Sequence, residues 1–363
     1  MKTVIKDGDV ARIGFHVSGP DPYDVTGYCA AEMAVDSQTS AVGLPFAVEL
    51  VPIVDEHDHE VARHKAGEFV NVAGAIGVLG PLSSDGALAT QDIYHAAGMA
   101  QLTSEASSPL LSEKGNKNFF RLVASDKYQG RALAKVAVRY LEADRIAVLH
   151  DGSGWGRPIA EIFEAEAKSL GAEIVLFHGF GEQERELNFD AMIQATLDAR
   201  PDLVYFAVYW NKAHIIAHRL RDHGLSATFL GSDALKPYAF LEVPSLDVVK
   251  PYHSLAGVDM RLKPSAKGFL KDFAVRYPTK LMAPQYAPEA YDCASLLVEA
   301  LRRARTIDRA RVLGELQRIE RFDGVIGQIQ FDENGDLVDP EINLYQCEAG
   351  MRRYIGRIRD LVG

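Results

Sequence analysis

The chain has 363 residues, of which 47% are hydrophobic and 25% are charged, a composition typical of a globular protein with about two domains. Its 39 basic and 50 acidic residues give a formal net charge of −11. So acidic a chain lacks the basic surface that binding to a nucleic acid backbone requires. No apolar run approaches the ~20 residues needed to cross a bilayer. Residues 1–15 contain no apolar segment typical of a signal peptide, so we expect a cytosolic protein or a chain that begins at a mature terminus.

Motifs for common enzyme and metal chemistry are incomplete. The turn Gly152–Gly156 follows a predicted strand, but Arg157 stands where a dinucleotide fingerprint needs its third glycine. His59 and His64 are five residues apart, which is the wrong spacing for a zinc-binding helix face. The three cysteines are too few for a disulfide framework or a metal cluster. We therefore expect no catalytic residues, no metal and no cofactor.

Short apolar strands alternate with amphipathic helices along the first two thirds of the chain. The predicted strands span residues 11–17, 46–54, 75–80, 145–150, 173–178, 203–208 and 228–231. The predicted helices span residues 25–37, 57–70, 83–97, 189–199 and 212–223, with one more ending at 170. Continuous apolar strands separated by helices indicate parallel sheets covered on both faces. Two such series predict two doubly wound Rossmann-like α/β lobes.

The last third of the chain does not follow this alternation of strands and helices. Helices are predicted over residues 265–277, 289–305 and 309–318, followed by strands over 327–331 and 342–347. Between these strands, Asn334 and Gly335 favour a tight hairpin turn. Because no low-complexity linker occurs, we expect short crossings between the lobes.

Polar residues follow two strands of the first series. Ser83 and Ser84 come after the third strand and open a helix, where a hydroxyl beside free backbone N–H groups can bind a carboxylate. The alternative is a simple N-cap. The next loop, 103–109, is rich in hydroxyl groups, and by itself it resembles an ordinary loop.

Aromatic and acidic residues follow the strands of the second series. Trp155 follows one strand, and Tyr209 and Trp210 follow another. Each can form an apolar wall over a ligand, or pack against the next helix. Asp233 follows the strand 228–231, and it can pair with a ligand ammonium group or cap a helix. An anion receptor in one lobe and a countercharge in the other would suit an amino acid zwitterion.

Several segments together resemble the leucine/isoleucine/valine-binding family, the type I periplasmic solute-binding proteins of ABC importers. The segments are 77–122, 145–156, 203–210 and 324–337. The resemblance implies two lobes joined by a three-crossing hinge, with a ligand cleft between them. It assigns residues 1–124 and 256–334 to the first lobe, and residues 125–255 and 335–363 to the second.

The resemblance also implies a set of ligand-binding residues. Ser84 and Ser107 would contact the ligand carboxylate and amine, and Asp233 would meet the ammonium group. The remaining predicted contacts are backbone groups and wall residues, namely Ser83, Glu105, Ala106, Trp155, Tyr209 and, in the loop after the first strand, Tyr23.

The expected function is that of a monomeric periplasmic receptor, which binds a small amino acid or related carboxylate and delivers it to a membrane ABC permease. Two alternatives remain open. One is a receptor for aromatic carboxylates, suggested by the tryptophans, and the other is a sensor of amide or urea-type ligands with the same fold. Glu105 stands where relatives have a small residue, which disfavours a simple aliphatic ligand.

Overall fold

The computed structural model describes residues 9–19, 22–181, 184, 186–235, 249–257, 259–278, 286–348 and 351–363, without the side chains of 22–24 and 41–42. The chain forms two compact units. Unit 1 comprises Met1–Val123 and Asp259–Asp339, and unit 2 comprises Ala124–Val258 and Pro340–Gly363. The segment that returns to unit 1 thus spans 259–339, where we expected 256–334.

Fourteen strands and twelve α-helices are found among the described residues. The strands β1 to β14 are Val10–Val17, Ala47–Val54, Ala75–Leu79, Ala100–Thr103, Phe119–Arg121, Arg145–His150, Glu173–Gly179, Leu203–Ala207, Thr228–Gly231, Tyr252–Leu255, Phe322–Gly324, Gly327–Ile329, Asn343–Glu348 and Met351–Arg357. The helices α1 to α12 are Pro22–Val42, His59–Phe69, Ser84–Ala96, Leu110–Glu113, Asp126–Lys135, Gly156–Ser169, Asp190–Ala199, Trp210–Asp222, Ala266–Arg276, Ala287–Ala304, Arg309–Gln317 and Ile358–Val362.

Unit 1 is built on a five-stranded parallel sheet in the order β2-β1-β3-β4-β5. Every residue of β3 and β4 is buried, as expected for central parallel strands covered by helices on both faces. The strand order reverses between β1 and β3, and in open α/β sheets ligands bind beyond the carboxyl ends of the strands at such a reversal. The loops after β1 and β3 lie at this point.

Unit 2 is built on a seven-stranded sheet in the order β14-β13-β10-β9-β8-β6-β7. The strands from β10 to β7 are parallel, whereas β13 and β14 pair antiparallel at the other edge. Two buried clusters cover the faces of the sheet, one containing Phe163 and Tyr205 and the other Phe206 and Phe229. The expectation of two doubly wound parallel sheets is confirmed.

Two local predictions were wrong. Strand β13 does not pair with β12: it pairs with β10 and β14 in unit 2, while β12 pairs with β11 in unit 1. The turn at Asn334 and Gly335 forms a short reversal closed by the bridge between Phe331 and Leu337. Tyr23 was placed in a loop, but its backbone belongs to the first turn of α1.

In the described part of the chain, no helix is both long enough and apolar enough to span a membrane.

Gly335 fixes the approach of this turn to strand β5. Its φ is +81°, and an added Cβ would lie 2.0 Å from the Phe119 carbonyl oxygen. Gly115 has a similar φ of +76°, but an added Cβ there would meet nothing within 4 Å. Alanine substitutions at the two glycines can therefore be compared: both add backbone strain, but only the one at Gly335 adds a steric overlap.

We expect Gly335→Ala to lower the free energy of unfolding by roughly 2–4 kcal/mol, because it adds overlap to the cost of a left-handed backbone. Gly115→Ala should cost only about 1 kcal/mol. Urea unfolding of both variants measures the difference. Equal losses would contradict the close approach of the turn to β5.

Candidate functional site

The loop after β3 leads into the N-terminus of α3. Ser83 is the N-cap of this helix, and its Oγ accepts a hydrogen bond from the Gly86 N–H at 3.1 Å. Ser84 is the first helical residue and is 3% exposed. The N-cap interpretation thus holds for Ser83, whereas the Ser84 hydroxyl belongs to another set of contacts.

The loop after β4 is joined to the loop after β3. The Ser84 Oγ accepts a hydrogen bond from the Ser108 N–H at 3.2 Å. The Thr103 Oγ1 donates to the Pro81 carbonyl oxygen at 3.3 Å. Because β3 and β4 are parallel neighbours, their loops leave the same edge of the sheet, and these bonds fix them together.

Thr103 also shapes its own loop. Its Oγ1 accepts hydrogen bonds from the N–H groups of Glu105, at 3.3 Å, and Ala106, at 3.0 Å. Ala106 and Ser107 are 1% and 3% exposed. The structure therefore brings together the two loops that carry the candidate residues of unit 1, with buried serines close to a helix N-terminus. Such an arrangement can bind an anion.

A buried hydrogen-bonded chain anchors α3 to the sheet. His16, at the end of β1, places its Nδ1 3.0 Å from the Asp55 Oδ2 and its Nε2 2.7 Å from the Tyr94 hydroxyl. Burial lowers the pKa of His16, so the ring is neutral at pH 7. We assign the Nδ1–H as the donor to Asp55 and the Tyr94 hydroxyl as the donor to Nε2, since a neutral imidazole has one donor and one acceptor. Although burial raises the pKa of Asp55, the hydrogen bond from His16 brings it below its usual value.

If His16 is neutral in the folded state, the difference in unfolding free energy between the wild-type protein and the His16→Gln variant should depend on pH. Because the folded-state pKa of His16 lies below the ordinary 6.5, the unfolded state binds the extra proton first as the pH falls. The stabilisation by neutral His16 is present above 6.5 and is lost below it, at up to ~1.4 kcal/mol per pH unit. Urea unfolding from about pH 8 to about pH 5 should show the wild-type advantage shrinking. A constant advantage would contradict the neutral, buried imidazole.

In unit 2, Trp155 and Tyr209 lie together. Their ring centroids are 4.8 Å apart, with 39° between the ring planes. Trp155 is 3% exposed, and Tyr209 is half-buried against the same cluster. Trp210 packs against the other cluster and stacks on His214. Of the aromatic residues after β8, Tyr209 is therefore the partner of Trp155.

Two carboxylates lie near a buried hydroxyl in unit 2. Burial raises the pKa of Tyr205 well above its ordinary value, and the charges of Asp126 and Asp233 raise it further. Asp233 begins a short 3₁₀ turn, separated from the end of β9 by one residue. Asp126 is fully buried and accepts a hydrogen bond from the Gln129 Nε2 at 2.9 Å. The Gln129 Oε1 accepts in turn from the Ser254 hydroxyl at 2.7 Å.

Thr103, Asp126 and Tyr205 were not predicted as site residues. Thr103 carried a detectable signal, because a threonine two residues before a loop N–H often caps it. Asp126 and Tyr205 carried none, since a polar group in a buried element shows its partners only in three dimensions. The Tyr23 side chain lies outside the described part, so its predicted role stays a prediction. No group of three His, Cys, Asp or Glu side chains suited to a metal occurs among the described residues.

A model of the periplasmic binding protein family matches residues 17–351. The Leu/Ile/Val-binding protein BraC3 of Rhizobium johnstonii is 23% identical over 321 residues, which are 88% of this chain and 86% of that protein. The crystal structure of the leucine-binding protein LivK of Thermotoga maritima has a TM-score of 0.84 and 21% identity, with 96% of this chain and 98% of that chain covered. The solute-binding protein of an ABC transporter from R. palustris, in complex with benzoate, has a TM-score of 0.82 and 17% identity, with 96% of each chain covered.

This chain belongs to the periplasmic binding protein family, because the family model matches nearly all of it. Its fold is the one shared by these leucine-binding and benzoate-binding structures. The resemblance seen in the sequence is thereby confirmed.

Proposed function

We propose that this chain is the solute-binding receptor of an ABC importer, that it acts in the periplasm, and that it binds a small amino acid or a related carboxylate. The observation that carries the proposal is the pair of joined loops in unit 1, which hold Ser84 and Ser107 beside the N-terminus of α3. The names of the relatives support the ligand class, since one is a Leu/Ile/Val-binding protein and another a leucine-binding protein.

Unit 1 holds the ligand carboxylate in this proposal. The N-terminus of α3 carries a partial positive charge, and the Ser84 and Ser107 hydroxyls supply hydrogen bonds to an anion. The backbone of Ser83 completes the carboxylate contacts. The N–H groups of Glu105 and Ala106 already donate to the Thr103 Oγ1, so we assign these two residues to the ligand ammonium group, from which their carbonyl oxygens can accept a hydrogen bond. The hydrogen bonds between and within the two loops hold these groups in place, which reduces the conformational entropy lost on binding.

Unit 2 holds the rest of the ligand. Asp233 pairs with the ammonium group, and the Trp155–Tyr209 pair covers the ligand side chain. No bond is made or broken. Contacts from both units to one ligand would shift the population toward a closed form, which the membrane permease would then recognise.

An aromatic carboxylate is the second candidate. The Trp155–Tyr209 pair offers aromatic surface for a flat ring, and the R. palustris relative binds benzoate. Such a ligand would use the anion-binding loops of unit 1 and leave Asp233 without an ammonium partner.

A matched pair of ligands separates these candidates. L-Leucine and 4-methylpentanoate differ only in the α-ammonium group. Although Glu105 disfavours a simple aliphatic ligand, L-leucine is the first amino acid to test because the names of the relatives include it. We expect L-leucine to raise the melting temperature in a thermal-shift assay, because a ligand that binds only the folded state stabilises it by RT ln(1 + [L]/Kd). 4-Methylpentanoate should have a much smaller effect. A shift with benzoate and none with any amino acid would replace the first candidate by the second.

The variant Asp233→Asn tests the ammonium contact. Loss of a charged partner from a buried pair should raise the Kd for L-leucine by roughly 100-fold and leave weak binding of 4-methylpentanoate unchanged. Asp202→Asn is the control, because Asp202 accepts from the N–H groups of Asp144 and Arg145 at the start of β6, at the opposite end of the strands. Calorimetric titration gives both constants. Equal Kd values for the two variants would contradict the role of Asp233.

A further inference from the structure

Arg121, the last residue of β5, is a fully buried arginine. A buried guanidinium is tolerated when its charge is paired and its N–H groups are satisfied. Its Nε donates to the Asp336 Oδ1 at 2.5 Å, and its Nη2 donates to the Ser112 Oγ at 2.7 Å. Ser112 in turn donates to the Asp336 Oδ2 at 3.0 Å. One side of the guanidinium is therefore neutralised by a carboxylate from a distant turn.

The other side of the guanidinium holds the loop after β4. The Arg121 Nη1 donates to the carbonyl oxygens of Ser108, at 2.9 Å, and Ala106, at 3.4 Å. In a trans peptide the C=O of one residue and the N–H of the next point in opposite directions. Fixing the Ala106 carbonyl toward Arg121 therefore directs the Ser107 N–H away from Arg121.

We propose that Arg121 is a positioning residue for ligand binding: it sets the orientation of the peptide groups in the 104–109 loop, so that the Ser107 N–H and hydroxyl are presented to the ligand. This inference rests on the proposed function. Asp336 acts through Arg121, since it supplies the countercharge that keeps the guanidinium in place. The turn that carries Asp336 is itself held to β5, where the Arg121 N–H donates to the Gly335 carbonyl oxygen at 2.9 Å.

A lysine at position 121 distinguishes the contribution of the positive charge from that of the hydrogen-bonding geometry of the guanidinium. Arg121→Lys retains a cation for Asp336, but a single ammonium group cannot reproduce the planar fork that reaches both carbonyl groups. The chain offers a matched control at the opposite end of the sheet. Arg309 donates to the carbonyl oxygens of Ala75 and Val70, both at 2.6 Å, and Arg309→Lys loses a similar fork far from the loops.

Calorimetric titration with L-leucine gives the first readout. We expect Arg121→Lys to raise the Kd by about tenfold, the equivalent of one to two hydrogen bonds. Arg309→Lys should keep the wild-type Kd, even where it lowers the melting temperature by as much as Arg121→Lys does. A purely structural role predicts that Kd is unchanged in both variants or changes in proportion to stability, and either result would overturn the proposal.

Amide hydrogen exchange of the ligand-free protein gives the second readout, which does not depend on the identity of the ligand. The amides of Glu105, Ala106 and Ser108 are hydrogen-bonded in the loop, and they should exchange faster in Arg121→Lys but not in Arg309→Lys. Unchanged exchange in Arg121→Lys would refute the positioning role. If L-leucine fails to bind the wild-type protein, the proposed ligand is wrong, and the exchange data still decide whether Arg121 sets the loop.

Discussion

The contact between the loops after β3 and β4 organises unit 1. The Ser108 N–H donates to the Ser84 Oγ, and Thr103 bonds both to Pro81 and to its own loop. Parallel strands make this contact possible, because their carboxyl ends meet at one edge of the sheet. The anion-binding geometry that we propose depends on it: were the loops independent, Ser107 would lose its fixed relation to Ser84 at the N-terminus of α3.

Two networks of buried polar groups support the loops after β3 and β4. The chain formed by Asp55, His16 and Tyr94 ties α3 to the first two strands, and Arg121 ties the 104–109 loop to Asp336. Buried polar groups are costly unless satisfied, so each network specifies a single arrangement. The candidate residues of unit 2 are of a different kind: they are the aromatic pair Trp155–Tyr209 and the carboxylates near Tyr205.

Local patterns predicted much of the fold, because continuous apolar runs such as β6 end at clear polar boundaries. Ser83 and Ser84 were found in the same way, since they lie where the loop after β3 leads into α3. Arg121 could not be predicted from a local pattern, because its countercharge Asp336 is 215 residues away in the sequence. The pairing of β13 was missed for a related reason: its register is set by β10 and β14, whereas the hairpin signal at Asn334 concerned only the local turn.

The central claim, that groups of both units contact one ligand, can be tested most directly by NMR of the ¹⁵N-labelled protein. The chain has two tryptophans, Trp155 and Trp210, so two indole N–H signals are expected, and a Trp210→Phe variant assigns them. At saturating L-leucine, we expect a large shift of the Trp155 indole signal, a small shift of the Trp210 indole signal, and shifts of the Ser84, Ser107 and Ser108 amide signals. Binding that moves the loop amides but leaves the Trp155 indole unchanged would contradict the central claim.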